Sequence, residues 1–232
     1  MNYVILIEQA LNGFQLGVLL FLLAAGLTLV FGIMDFINLA HGSFYMLGAF
    51  LFATLYSYTD SFALGIFLGL PAIIFIGLMT ELICLKNLYF RDHLDQVLAT
   101  FGLILFFNQI VQVIWPLDGL SIPMPAYLDG TMAIGLGIEY PVYRMMIILT
   151  GIGVAIMLYI IVTHTRLGML IRAGASNPTI LGALGINVRF LFSCIFALGA
   201  ALSGLAGMLV TPIISATRGM GEQILIIAFV VI

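Results

Sequence analysis

The chain has 232 residues, is 63% hydrophobic and 7% charged, carries a formal net charge of −3 and has a mean hydropathy of +1.26. Soluble domains run near about 45–50% apolar and about 25% charged, so this composition excludes a soluble globular domain and defines an integral membrane protein. No basic stripe is present, which leaves nucleic-acid binding without support.

A spanning helix needs about 20 mostly apolar residues. The opening MNYVILIEQA holds Glu8 and no basic residue, so it lacks the positive start of a secretory leader. Spanning segments are expected at Ala10–Phe31, Leu39–Tyr56, Phe62–Leu85, Val97–Trp115, Val142–Thr163 and Phe190–Pro212. Leu39–Tyr56 is short at its start, as a re-entrant segment would be. A last apolar run opens near Ile224 and stops at Ile232, too short to span, so the chain is expected to end in mid-helix and the natural product to continue. The expected fold is all-α: a polytopic bundle of about seven or more transmembrane helices, one of them broken, in a single domain over residues 1–232.

The break is expected within Gly26–Phe50, GLTLVFGIMDFINLAHGSFYMLGAF. Asp35, Asn38, His41 and Ser43 sit there between apolar runs, with Gly32, Gly42 and Gly48 beside them. Polar groups at membrane depth are costly and normally face a protein interior or a water-filled path. The three-by-three spacing of Asp35, Asn38 and His41 keeps them near one helix face. Glycine permits close helix contact or an interruption. The segment reads equally as a polar turn at the membrane surface. In the first reading Asp35, Asn38, His41, Gly42 and Ser43 line a path or its gate.

The loops sort by charge. Lys86, Arg91 and His93 share one; His164, Arg166, Arg172 and Arg189 share another. Between them Pro116–Pro141 carries Asp118, Asp129 and Glu139 without Lys or Arg, and the turn Tyr56–Ser61 carries only Asp60. The positive-inside rule puts the basic loops in the cytoplasm and the other two outside. Arg144 and Arg218 fall on the wrong side, near helix ends, where long side chains can snorkel. If Leu39–Tyr56 crosses fully, the N-terminus is outside. Pro116–Pro141 is an external loop, ordinary or a docking surface for an external partner. Small residues recur every four positions at Gly199, Ser203 and Gly207, at Gly13 and Gly17, and at Gly65 and Gly69, a spacing that lets helices pack closely in lipid. Cys84 and Cys194 are read as small buried hydrophobes.

The loop HTRLGMLIRAGASNPTILGALGINVR, His164–Arg189, is long but patterned. Leu167, Leu170 and Ile171 repeat at helical spacing as far as Ala175. Asn177 is the N-cap and Pro178 the first residue of a second short helix, Thr179–Leu184, which Gly185 closes in the left-handed conformation. Apolar residues on two short exposed helices either pack back on the membrane surface or take a partner.

Lys86 is the one lysine and no GxxxxGK[ST] surrounds it, so a P-loop cannot be built. HExxH, GxSxG, CxxC, an Arg-rich voltage-sensing helix and a TVGYG filter are also missing. No enzymatic activity, metal site or cofactor is expected; a pump of this composition draws its energy from another subunit. A channel or secondary transporter, or a purely structural membrane subunit, fits the same exclusions. The organised cytoplasmic loop favours the pump, and the polar cluster disfavours the structural role.

Gly26–Phe50 resembles the signature of the LivH-type inner-membrane permeases of ABC importers for branched-chain amino acids, with Leu39 where many relatives have Phe. The likeness continues through TFGLILFFNQIVQVIWP, Thr100–Pro116, and TRLGMLIRAGASNPTILGALGIN, Thr165–Asn187, which is similar to the family's ATPase-contacting loop. The resemblance implies a permease domain, truncated at its C-terminus, whose coupling residues are Arg166, Leu167, Gly168, Leu170, Arg172, Ala173, Asn177, Pro178 and Gly185. It implies a second, LivM-like permease subunit, two cytoplasmic ATPases and a periplasmic substrate-binding protein in a bacterial inner membrane. Members of the family also carry urea or short amides, so the substrate stays open.

Overall fold

The computed structural model describes residues 3–89, 91–115, 118–135 and 138–232. Pro116, where the external loop was expected to begin, lies outside them. The helices are α1 (Tyr3–Met34), α2 (His41–Thr59), α3 (Phe62–Thr80) with a π-helical turn (Glu81–Leu85), α4 (His93–Ile114), α5 (Val142–His164), α6 (Arg166–Ser176), α7 (Pro178–Ala183), α8 (Val188–Val210) and α9 (Met220–Val231). Among the described residues, five are long and apolar enough to cross a membrane: α1, α3 with its π turn, α4, α5 and α8. The chain is thus all-α and polytopic. α1 is longer at both ends than the expected Ala10–Phe31, and α4 starts early enough to take in His93.

Two aspartates punctuate the first half. Asp35 and Asp60 both adopt φ +49°. Each N–H closes the last turn of its helix, on Phe31 and Tyr56 respectively, both at 2.9 Å. A short polar side chain tolerates this left-handed position where a branched apolar one does not. The sequence pattern missed a strand pair: β1 (Thr131–Gly135) and β2 (Ile138–Pro141) form an antiparallel hairpin, with Met132 opposite Tyr140. Leu120 and Ala216 exchange backbone bonds beside it, tying the connection after α4 to the one after α8.

α2 is the axis of the bundle. Every residue from His41 to Phe50 is buried, against α8, α3, α9 and α1. Glycine makes this possible, because a Cβ on Gly207 would overlap the Tyr45 carbonyl and one on Gly48 would overlap the Gly204 backbone. Helices without a hydrophobic drive between them gain from such close backbone approach. Ser203 and Gly207 therefore form the seam of α8 with α2, while Gly199 meets Val30 and Gly26 of α1 and the His41 ring. Gly65 and Gly69 likewise admit Phe52 and Met208, whereas nothing lies within 4 Å of a Cβ built on Gly13 or Gly17. Cys84 is exposed on the π turn and Cys194 partly so, against the expectation of burial.

Candidate functional site

Between α1 and α2 the chain is not helical, and Asp35 to Ala40 forms an irregular strap. Its two ends differ. Asp35 is open, its side chain 82% exposed and its Oδ2 3.9 Å from His93 Nε2 at the start of α4. His41, at the other end, is buried at mid-bundle. Its ring lies against Gly199, the midpoint of α8, and its Nε2 is 3.0 Å from where a Cβ on Gly26 would stand. Phe44, one turn further, meets Phe107 of α4 at 5.9 Å and Phe196 of α8 at 5.7 Å. The strap thus rises from the α6 end of the bundle to its middle, where α2 begins. The helical face expected from the three-by-three spacing does not form, because Asp35 ends the helix. The surface-turn reading fits only Asp35; Asn38, His41, Gly42 and Ser43 are all buried.

The buried half of the strap is under-satisfied. Asn38 is fully buried and both its amide atoms lack hydrogen-bond partners among the described residues, as does His41 Nε2. The other pairing of the imidazole is with the Leu23 backbone. Ser203 donates to the His41 carbonyl at 2.9 Å, fixing the first turn of α2 on α8. Ala40, at the N-cap of α2, offers no side-chain bond. An amide, an imidazole and an uncapped helix start are therefore gathered at the centre of an apolar bundle. Buried polar atoms without partners are uncommon and costly. A second helix start lies beside this one. Gly219 (φ +79°) opens α9, and Gly221 packs backbone to backbone on Gly42.

Gln96, which the sequence did not single out, holds the strap. Its side chain is 1% exposed. Its Oε1 accepts from Ile37 N–H at 3.1 Å and its Nε2 donates to the Leu88 and Arg91 carbonyls at 3.3 and 3.1 Å. Gln96→Leu should free the Ile37 N–H and the Arg91 carbonyl and leave the Leu88 carbonyl with only its bond from Arg91 N–H, each freed group costing about 1–3 kcal/mol if left buried and unpaired. The expected outcome is faster amide hydrogen exchange at Ile37 and through residues 86–92, with helices α5 and α8 unchanged.

Glu81 was also missed, hidden inside an apolar run. It is fully buried in the π turn, accepts from Tyr89 Oη, and accepts from Ser193 Oγ at 2.8 Å. Burial first, then the bond and charge of Glu81, hold the Tyr89 phenol well above its ordinary value. Tyr89 meets Phe36 of the strap edge-on at 5.8 Å and Phe192 of α8 at 5.4 Å. Single-turn π bulges recur at functional sites because they re-aim side chains.

The loop after α5 folds as its pattern indicated. Thr165 Oγ1 caps α6 by accepting from Gly168 N–H at 3.1 Å, and Asn177 Oδ1 caps α7 by accepting from Ile180 N–H at 3.1 Å. α7 opens at Pro178, and Gly185 follows it at φ +82°. Gly168 sits where any Cβ would overlap the Ile161 and Val162 carbonyls, and Arg172 donates to the Val162 carbonyl, so α6 is rooted on the end of α5. Ile171 and Leu181 are buried inward, and Leu170 is half-buried against the core. Arg166 and Ala173 are exposed, and Leu167, Met169 and Ile180 form the exposed apolar side. Gly174 packs near Leu191 and Ile33, and a cleft of about 560 Å³ runs from Gly174 and Ala175 to Asp35 and Tyr89. α6 is thereby placed next to the strap.

An apolar polytopic bundle whose central helix starts at mid-depth on unpaired polar groups has the make-up of a membrane transport protein. The chain belongs to the family described as branched-chain amino acid transport system / permease component, whose model matches residues 9–232. It is similar to the high-affinity branched-chain amino acid transport system permease protein BraD of Pseudomonas aeruginosa, 28% identical over 88% of this chain and 70% of that protein. Similar too are LivH of Escherichia coli K12, 24% identical over 90% of this chain and 71% of LivH, and the probable LivH of Methanocaldococcus jannaschii, 30% identical over 91% and 68%. No solved structure matches the chain.

Proposed function

We propose that this chain is a permease subunit of an ATP-driven importer for branched-chain amino acids in a bacterial inner membrane. The observation that carries the reading is the family match along almost the whole chain. A central helix that begins on buried, unpartnered polar groups supports it. Asn38, His41, Gly42 and Ser43 line the path or its gate, and Asp35 sets where the strap leaves α1. α2 and α9 join the five spanning helices as elements that start inside the bundle, for seven in all. ATP is hydrolysed by two separate cytoplasmic ATPases, seated on α6 and α7. A second, LivM-like permease closes the path, and a periplasmic binding protein delivers the amino acid.

Two tests follow from this reading. Leucine, urea and acetamide uptake, measured side by side in the reconstituted assembly, separates an amino-acid importer from a urea or amide permease. ATPase subunits retained through detergent purification separate it from a channel. The orientation is checked with cysteines at the exposed Asp118, since a side chain on Gly119 would overlap the Ala216 carbonyl, and at Asp60, both expected outside from the basic loops at the opposite end. Both should react with impermeant thiol reagents in intact spheroplasts; labelling only after lysis would reverse the topology.

A further inference from the structure

A cleft of about 400 Å³ lies between α4 and α9, lined by Leu105, Asn108, Gln109, Arg218, Gly219 and Glu222. Asn108 is six residues inside the end of α4, about 9 Å by helical rise. The cleft therefore sits below the hairpin end of the bundle, and it adjoins the place where Gly221 packs on Gly42 at the start of α2. Its charges are arranged unusually. Arg218 and Glu222 line the same small space, yet no ion pair joins them among the described residues. Each is held by a neutral amide of α4: Arg218 donates to Gln112 Oε1, and Glu222 accepts from Asn108 Nδ2. Asn108 and Gln112 are one turn apart, so one helix face keeps the cation and the anion separate. Asn108 Oδ1 is buried without a partner among the described residues, an acceptor that a nearby ammonium group would satisfy.

Both side chains are exposed, and the two amides of α4 hold them apart. Held apart, they match a ligand that carries both signs. We propose that this cleft is a station for a zwitterionic α-amino acid, its carboxylate on Arg218 and its ammonium group on Glu222 and Asn108. The start of α9 adds positive potential on the carboxylate side. Leu105 supplies an apolar wall for an aliphatic side chain. Ligands with one charge or none satisfy at most half of the site, so urea, simple amines and simple carboxylic acids are rejected. The station rests on the importer reading above, and it places the substrate one step from the buried groups at the start of α2.

The test uses the assembled transporter with Gln109→Cys as reporter in a Cys84→Ser, Cys194→Ala background. Leucine at about ten times its dissociation constant should slow labelling of that position by a water-soluble maleimide about tenfold, because protection follows occupancy. Urea, 3-methylbutylamine and 4-methylpentanoate should give no protection. Arg218→Gln and Glu222→Gln should each abolish protection and lower leucine uptake about tenfold or more at normal subunit assembly, and Arg218→Lys should restore part of both. Protection by the amine or the acid equal to that by leucine overturns the station. So does full leucine uptake in Arg218→Gln and Glu222→Gln, which leaves the importer reading intact. A wild-type assembly that takes up urea and not leucine overturns the importer reading, and the station with it.

Discussion

Replacing Ile180 or Ala173 by aspartate should detach the ATPases and abolish ATP-driven uptake while the permease still inserts. Converting ATPase closure into helix movement needs a short, stiff element seated on the ATPase and rooted in the bundle. α6 and α7 have that construction. Side-chain caps at Thr165 and Asn177 fix where both helices start. Gly168 and Arg172 bind α6 to the last carbonyls of α5. Leu167, Met169 and Ile180 are left exposed at 43%, 59% and 59%. Docking contacts of this kind rest on a few apolar anchors, and losing one costs about 2 kcal/mol, or about 30-fold in affinity. A buried aspartate adds its desolvation to that loss. The measurement is subunit stoichiometry after purification, with ATPase activity and uptake in the reconstituted complex. Bound ATPases and full transport in both variants would remove this loop from the coupling role. Leu170 is a poorer site for the same experiment, because it packs on the core and an aspartate there reports on folding.

The loop after α5 was legible because its signals are local. Asn177-Pro178 and Gly185 each act within one turn of chain, and the structure places a cap, a helix start and a left-handed residue at those positions. Five of the six expected spanning segments were legible for a similar reason, since about 20 apolar residues in a row admit few alternatives; α2, on the expected Leu39–Tyr56, is not among the helices of the described residues that are long and apolar enough to cross. The strap was legible only in part. Its polar residues stood out against apolar flanks, but spacing alone put Asp35 with Asn38 and His41. What separates them is the left-handed turn at Asp35, a backbone event that a helical projection hides. Gln96 and Glu81 were illegible for a different cause. Each serves groups distant in sequence, Ile37 for Gln96 and Ser193 for Glu81, and no local pattern announces such a partner. Arg144 and Arg218, read as side chains that could snorkel, are bonded to Asn12 and Gln112 on neighbouring helices, partners that lie far off in sequence. The hairpin of β1 and β2 was lost in a stretch read as loop from its prolines and acidic residues.

Asn38→Ala should lower amino-acid uptake about tenfold or more without lowering the stability of the permease. The two effects come from one feature. Asn38 is fully buried, and neither amide atom has a partner. An unpaired buried polar group costs about 1–3 kcal/mol, and removing it returns that energy to the folded state. Alanine adds no volume, and the amide-sized cavity it leaves costs about 1 kcal/mol, which the returned energy offsets. A residue kept only for the fold would behave in the opposite way, since its loss would lower stability and reduce uptake through loss of protein. An amide kept for transport holds an unpaired state until the path opens and substrate or water reaches it. The strap allows that exposure, because it is irregular and its Ile37 N–H is held by a side chain, Gln96, rather than by a helix. The measurement pairs the unfolding temperature in detergent with uptake per assembled complex. Uptake that stays normal, or that falls only in step with a lower unfolding temperature, would make Asn38 a structural residue and move the path away from the strap.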